Sequence, residues 1–339
     1  GVSVSTAVAT KQAMPIVATG IGTVTPLSSV LVRARVDGEL DRVGFKEGQD
    51  VKKGEVLAVI DPRALQAQLE QYDAQKARDE AQLANAMVDL DRYTHLVEQD
   101  SIPHQQLDTQ RATVNQLRAT VKFDQAQIDN AKVQLDYTTI RSPIGGRTGK
   151  RLVDPGNIVH AADTTGIVTI NQIDPISVLF TLPEEQFQAV AAAQAAAKGQ
   201  SLTVQAYART DGSLLAKGQL TLVNNQIDTS TGTIQLRAVF PNSGTHALWP
   251  GQYVNVRIVL RDVPDAVTVP DAAVQRGPQG LFAYVLKDDG TVAAQPIAIA
   301  QSDGGRSIVT KGVNPGEHVV VGGQYKLRPG MKVVEAKAG

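Results

Sequence analysis

What most constrains this chain is a double run without helix breakers: no Gly or Pro occurs from Arg63 to Ile102, and none from His104 to Ser142. Pro103 stands alone between the two runs. Within each run, apolar residues recur at alternating steps of three and four. The first arm carries Leu65, Leu69, Tyr72, Leu83, Ala86, Leu90, Tyr93 and Val97, interrupted by Lys76 and Asp79. The second carries Leu107, Val114, Leu117, Val121, Ile128, Ala131 and Leu135, interrupted by Gln110 and Asp124. A 3.5-residue period sustained over about four to five heptads predicts a coiled coil. The single break makes it an antiparallel hairpin, and an arm of about 37 residues reaches on the order of 55 Å. Its narrow apolar seam leaves the other faces polar, as a rod standing in water requires.

The segments on either side of the hairpin resemble each other. "ARVDGELDRVGFKEGQDV" (Ala34 to Val51) and "SPIGGRTGKRLVDPGNIV" (Ser142 to Val159) match at Val36/Ile144, Gly38/Gly146, Gly48/Gly156 and Val51/Val159. The offset is constant, so an internal repeat is interrupted by the hairpin. Each half reads as short strands with Gly at the turns.

Downstream, "ISVLFTLPEEQFQAV" reads as a strand entering a helix, with Pro183, Glu184 and Glu185 favourably placed in its first turn. The Ala-rich "AVAAAQAAAK" continues that helix. Alternating strands follow from Ser201 to Leu260 and predict a small antiparallel β-barrel. A terminal block from Val263 to Lys337 is again strand-rich, with a hairpin turning at Asp289-Gly290. The opening strands, Val2 to Val24, lack local partners and are expected to pair with the last two domains. Pro62, Pro143, Pro175 and Pro264 mark four short joints.

Composition narrows the function. The 339 residues predict roughly two to three domains, and 42% hydrophobic residues suffice for real cores. Lys plus Arg number 33 against 34 Asp plus Glu, which argues against nucleic-acid binding and a polybasic membrane patch. Aromatics are scarce, with Trp249 the only Trp, so no aromatic-lined pocket is signalled. The lack of Cys excludes disulfides, thiolate metal sites and Cys nucleophiles. No stretch approaches 18 consecutive apolar residues. With no signal-like opening, any membrane association would use a segment absent from this chain.

The paired pattern from Val36 to Leu57 resembles half of a lipoyl or biotinyl carrier domain. Carriers hold a modified Lys between their halves, where this chain has the coiled coil and no Met-Lys or Asp-Lys turn. The order of strand, half-lipoyl, hairpin, half-lipoyl, β-barrel and terminal β-domain resembles the periplasmic adaptor (membrane fusion) proteins of resistance-nodulation-division (RND) efflux pumps. The strings "TTIRSPIGGRTG", "VDPGNIV", "DTTGIVTI", "VLFTLPE", "NNQIDTSTGTI" and "LWPGQYVNVRI" are most similar to the MdtA-type members.

That resemblance implies an elongated, mostly β, multidomain α+β fold. Its expected domains are a membrane-proximal β-domain (1–20 and 262–339), a β-barrel (21–28 and 174–261), a lipoyl-like barrel-sandwich hybrid (29–62 and 136–173) and the hairpin (63–135). It implies a non-enzymatic adaptor in the periplasm, attached to the inner membrane of a Gram-negative bacterium. The partners implied are an inner-membrane, proton-driven RND transporter, an outer-membrane TolC-like channel, and further copies forming a ring, a hexamer in the assembled pump. No nucleic acid, cofactor or metal is implied. Alternatives are the adaptor of an ATP-driven (type I secretion) exporter and, more remotely, a lipoyl or biotinyl carrier subunit.

Family members have an Arg, a Leu four residues on and a Ser seven further at the hairpin tip, thought to dock on the channel. Arg92 and Leu96 match, and Pro103 occupies the Ser position. The docking set expected here is Arg92, Leu96, Val97, Ser101, Ile102 and Pro103. The Ser101 hydroxyl is expected to cap the second helix, with Pro103 in its first turn.

Other motifs carry less. "GGRTGK" lacks the Gly spacing of a phosphate loop, with Ile144 where the first Gly belongs and Arg151 in place of Ser/Thr. His95, His104, His160, His246 and His318 fall in different predicted domains, and His95 and His104 near the tip read as solvated polar residues. Met14, Met87 and Met331 are dispersed, which disfavours copper or silver handling.

Overall fold

The computed structural model describes residues 2–335. Its strands open with β1 (Val2–Val8) and β2 (Thr10–Pro26). The first repeat half supplies β3 (Ser29–Val32), β4 (Gly38–Val43), β5 (Asp50–Val51) and β6 (Val56–Ile60). The helices α1 (Arg63–Glu98) and α2 (His104–Asp136) come next. The second half supplies β7 (Thr139–Arg141), β8 (Gly146–Arg151), β9 (Ile158–Val159) and β10 (Val168–Asn171). Then come β11 (Ile176–Pro183), α3 (Glu184–Ala196), β12 (Thr203–Ala208), β13 (Leu214–Asp228), β14 (Thr233–Phe240) and β15 (Tyr253–Pro270). The chain ends with β16 (Gln275–Gly277), β17 (Gly280–Leu286), β18 (Val292–Pro296), β19 (Ala298–Asp303), β20 (Arg306–Lys311), β21 (His318–Gly322) and β22 (Val333–Glu335).

These elements form two compact units, Pro26–Asp174 and the remainder, Gly1–Thr25 with Pro175–Gly339. In Pro26–Asp174 a shift of 108 residues, the offset from Gly38 to Gly146, carries β4 onto β8 and β5 onto β9. The repeat halves do not fold side by side. One sheet is ordered β3-β10-β8-β5 and the other β7-β6-β4-β9, so each sheet takes two strands from each half. Replacing every strand by its repeat equivalent turns the first sheet into the second, an approximate two-fold.

Between the sheets lies a core that includes Leu40, Leu57, Ala58, Ile60, Val168 and Ile170, all fully buried. Strands cross closely here: a Cβ on Gly146 would lie 2.5 Å from the Asn171 carbonyl oxygen, so backbone, not a movable side chain, requires Gly at that position.

The hairpin grows from one edge of the second sheet. β6 and β7 are antiparallel neighbours, with Ala58 opposite Ile140 and Val59 opposite Thr139. The Ile60 N–H donates to the Thr138 carbonyl at 2.8 Å, so the ladder closes directly beneath the helices. At the start of α1, Asp61 Oδ1 accepts the Arg63 N–H at 3.0 Å and its carboxylate also takes the Arg63 guanidinium. Those hydrogen bonds hold the Asp61 carboxyl down at about 2.

In the other unit, β12, β13, β14, β11, β2 and β15 follow one another, and β12 also pairs with β15, closing a six-stranded barrel. β2 and β15 outrun the barrel and continue as a ladder to β20 and β19. That ladder runs past Pro264 through a register shift between Val263 and Ala266, so the expected joint is a bulge in a continuous strand pair. As their missing local partners imply, the opening strands pair far along the chain: β1 lies between β21 and β22, and β2 against β15. The expected turn falls at Asp289-Gly290, where the Gly290 N–H donates to the Lys287 carbonyl at 3.0 Å. Leu286 pairs with Val292, leaving five residues, and Asp289 Oδ1 accepts both the N–H and the hydroxyl of Thr291. Among the described residues, no helix is long and apolar enough to cross a membrane.

Candidate functional site: the hairpin tip

α1 has 36 residues and α2 has 33, so the rod is about 54 Å long at 1.5 Å per residue. Every apolar seam position read from the heptads is buried or half-buried, and the polar interruptions Lys76, Asp79, Gln110 and Asp124 also face inward. Gln110 reaches across to donate from Nε2 to the Ala86 carbonyl at 2.8 Å, and Lys76 donates to Gln125 Oε1 at 2.8 Å. These bonds join the arms where the apolar seam is interrupted.

At the tip α1 ends in a Schellman arrangement. The Asp100 N–H donates to the Val97 carbonyl at 3.0 Å and the Ser101 N–H to the Leu96 carbonyl at 2.9 Å. This geometry needs a left-handed residue after the helix, usually Gly; here Asp100 takes it, with φ of 48°. Asp100 follows from no motif; the signal in the sequence is the polar Glu-Gln-Asp-Ser run directly after the last seam residue, Val97.

The expected cap is corrected by the structure. The Ser101 hydroxyl turns back to donate to the Gln99 carbonyl at 3.3 Å, so it serves the end of α1. Pro103 stands at the N-cap position of α2, with ψ of 141°, and no side chain caps that helix. Proline fixes φ and gives up an N–H that the helix start leaves unpaired in any case, so it starts α2 without a polar cap.

The six expected tip residues divide by exposure. Arg92, Ser101 and Pro103 are exposed, and Leu96 and Ile102 are half-buried. Arg92 and Leu96, four residues apart, share a helix face. The Arg92 guanidinium is tied to Asp89 at 3.1 Å, a weak bond in water that a stronger acceptor would displace. Val97, expected on the docking surface, is only 9% exposed. It is the last seam residue of α1, as Leu107 is the first buried one of α2, and it supports the tip from within.

His95 is exposed, as a solvated polar residue would be, and lies between Asp91 at 3.8 Å and Glu98 at 3.4 Å. Among the described residues, no three His, Cys, Asp or Glu side chains converge as a metal site would require.

The surface is therefore a small mixed patch of one cation, two aliphatic side chains, a hydroxyl and a proline, held by a backbone-capped turn. Such a patch can dock.

Comparison with known proteins bears on the same architecture. Residues 28–171 match the RND MFP (membrane fusion protein) barrel-sandwich hybrid domain, 175–262 the RND MFP β-barrel domain, and 265–326 the RND MFP C-terminal permuted SH3 domain. Multidrug resistance protein MdtA of Klebsiella pneumoniae is 43% identical over 338 residues, covering 99% of this chain and 81% of that protein. MdtA of Escherichia coli O7:K1 is 42% identical over 337 residues, covering 99% and 80%. Among solved structures, MacA from Actinobacillus actinomycetemcomitans shares the fold at a TM-score of 0.55 and 22% identity, covering 91% of this chain and 97% of that one. Identity at this level over nearly the whole length, with all three domain matches in order, means that the chain belongs to the RND membrane fusion proteins, and among them to the MdtA type.

Proposed function

We propose that this chain is the adaptor subunit of a multidrug efflux pump, joining an inner-membrane, proton-driven RND transporter to an outer-membrane TolC-like channel. The observation that carries the reading is the 42–43% identity to MdtA proteins across 99% of the chain. In this reading the chain works in the periplasm, held to the inner membrane, and performs no catalysis. Several copies assemble into a ring, a hexamer in the complete pump, and act together, so each interface can be weak. The hairpin supplies reach. Its tip docks through Arg92, Leu96, Ser101, Ile102 and Pro103, with Val97 supporting them from the seam.

The position between the repeat halves, where a carrier domain holds its modified Lys, is taken by α1 and α2, which leaves the carrier reading without its site. An ATP-driven exporter as the partner is disfavoured by the RND domain matches.

In-cell photocrosslinking from position 96 tests the docking surface. The control belongs at Lys132, which is exposed near the hairpin base; Ala131 is buried in the seam and a probe there would disturb it. A channel-sized adduct from position 96 and none from 132 is the expected result. Equal labelling at both positions, or adducts from the base alone, would sink the docking role. The transporter assignment is tested separately, by co-purification of the inner-membrane partner.

A further inference from the structure

Two aspartates meet inside the coiled-coil seam. Asp79 of α1 is 4% exposed and Asp124 of α2 is 1% exposed, both at heptad positions that apart from Lys76 and Gln110 are otherwise filled by Leu, Val, Ile, Tyr or Ala. Gln75, one turn before Asp79 on α1, reaches across to Asp124, and Asp79 itself acts on Asp124 by charge and hydrogen bond, so the register makes the two aspartates neighbours. Asp79 is tied by its Oδ1 to the Arg78 guanidinium at 2.8 Å. Asp124 is not matched in this way. Its Oδ1 has only the Gln75 amide, at a long 3.4 Å, and its Oδ2 is buried with no donor among the protein groups around it.

A carboxylate oxygen can only accept, so two ionised aspartates facing each other would leave acceptor against acceptor in a water-poor seam. A single proton resolves this. An O–H on Asp124 donates to the Asp79 carboxylate, and Arg78 neutralises the charge that remains.

We propose that Asp79 and Asp124 hold one proton between them, and that releasing it to solvent as pH rises loosens the two arms at this layer of the hairpin. The other charged groups nearby leave the pair otherwise undisturbed. On α1, Lys76 is committed to Glu80 at 3.2 Å and to Gln125. On α2, Asp129 accepts from Gln125 at 2.8 Å, and Lys122 is exposed. Among the described residues, Arg78 is the one cation bonded to the pair.

Burial pushes the Asp124 carboxyl above its ordinary value of 3.8, and the charge and hydrogen bond of Asp79 push it further. The Arg78 hydrogen bond holds Asp79 below the same value. A raised folded-state value means that the stability Asp124 contributes is full below its unfolded value and is lost as pH climbs through the folded one. For Asp79 the loss comes on acidification, below 3.8. The loosening therefore occurs on the alkaline side of 3.8, as the pair gives up its shared proton.

The test uses the whole chain labelled with aspartate 13C at the side-chain carboxyl, titrated by NMR. The Asp124 signal is expected to change with a midpoint above 3.8, and to move down in Asp79→Asn. Amide exchange, corrected for its intrinsic pH dependence, gives a second readout that needs no titration curve. Protection at residues 75–83 and 120–128 should fall severalfold as pH rises above 3.8 in the native chain and stay level in Asp124→Asn, whose amide can donate to an ionised Asp79. An Asp124 midpoint at or below 3.8, a midpoint indifferent to Asp79→Asn, or a protection profile shared by native chain and variant would each overturn the proposal.

Discussion

The lipoyl-like core and the hairpin seam lie within one compact unit and are built on opposite principles. The core is dry and non-local: Leu40, Leu57, Ile60 and Ile170 are fully buried between sheets that draw strands from both repeat halves. The seam is narrow and interrupted, with Asp79 and Asp124 buried among aliphatic residues and Lys76 and Gln110 bridging the arms. One region owes its stability to buried apolar area, the other to helix propensity, regular register and a few polar ties. A rod needs stiffness along its length more than a large core. Polar layers fix which residues of the two arms face each other, at some cost in stability.

The contrast can be broken or sharpened by substitution. The largest effect is expected from Leu57→Ala: removing a fully buried side chain from the sandwich should cost about 2–5 kcal/mol, seen as loss of the cooperative unfolding of this unit in urea. Val114→Ala, at a seam position 1% exposed, should cost about 1.5 kcal/mol for two carbons. It should raise amide exchange in the hairpin while leaving the sandwich strands protected. Equal loss of protection in both regions would mean that hairpin and sandwich unfold as one body, and the contrast would fail.

Asp100→Gly should stabilise the tip by about 0.5–1 kcal/mol, because Gly occupies the left-handed conformation at φ 48° without a Cβ penalty. Slower exchange at the Asp100 and Ser101 amides is the readout. The smallest effect is expected from the largest change. Replacing residues 63–136 with a short Gly-containing turn between β6 and β7 should leave the sandwich melting nearly where it was, since those strands already pair as antiparallel neighbours. Failure of that variant to fold would show that the helices support the sheets.

Much of the fold could be read from the residues, for local reasons. The heptads gave α1 and α2 closely, because a helix satisfies its backbone within itself and exposes its packing face at fixed intervals. The tip was legible as a turn and misread in detail. Ser101 is a favourable N-cap residue, but its hydroxyl serves α1, because Asp100 in a left-handed conformation turns the chain first. Val97 shows the same limit: the heptads place it in the seam, family likeness places it at the docking tip, and only the packed hairpin shows that it is buried.

By itself, the sequence determined the two long helices, the barrel and terminal strands in outline, and a repeat offset of 108 residues that carries β4 onto β8 and β5 onto β9. The tertiary structure alone decided that the halves exchange strands, that β2 and β15 form one ladder through the bulge near Pro264, and that Asp79 meets Asp124. The physical reason is common to all three. Propensity and periodicity act within a few residues, whereas strand partners and the register of two antiparallel helices are fixed by which apolar faces can be buried together across the chain.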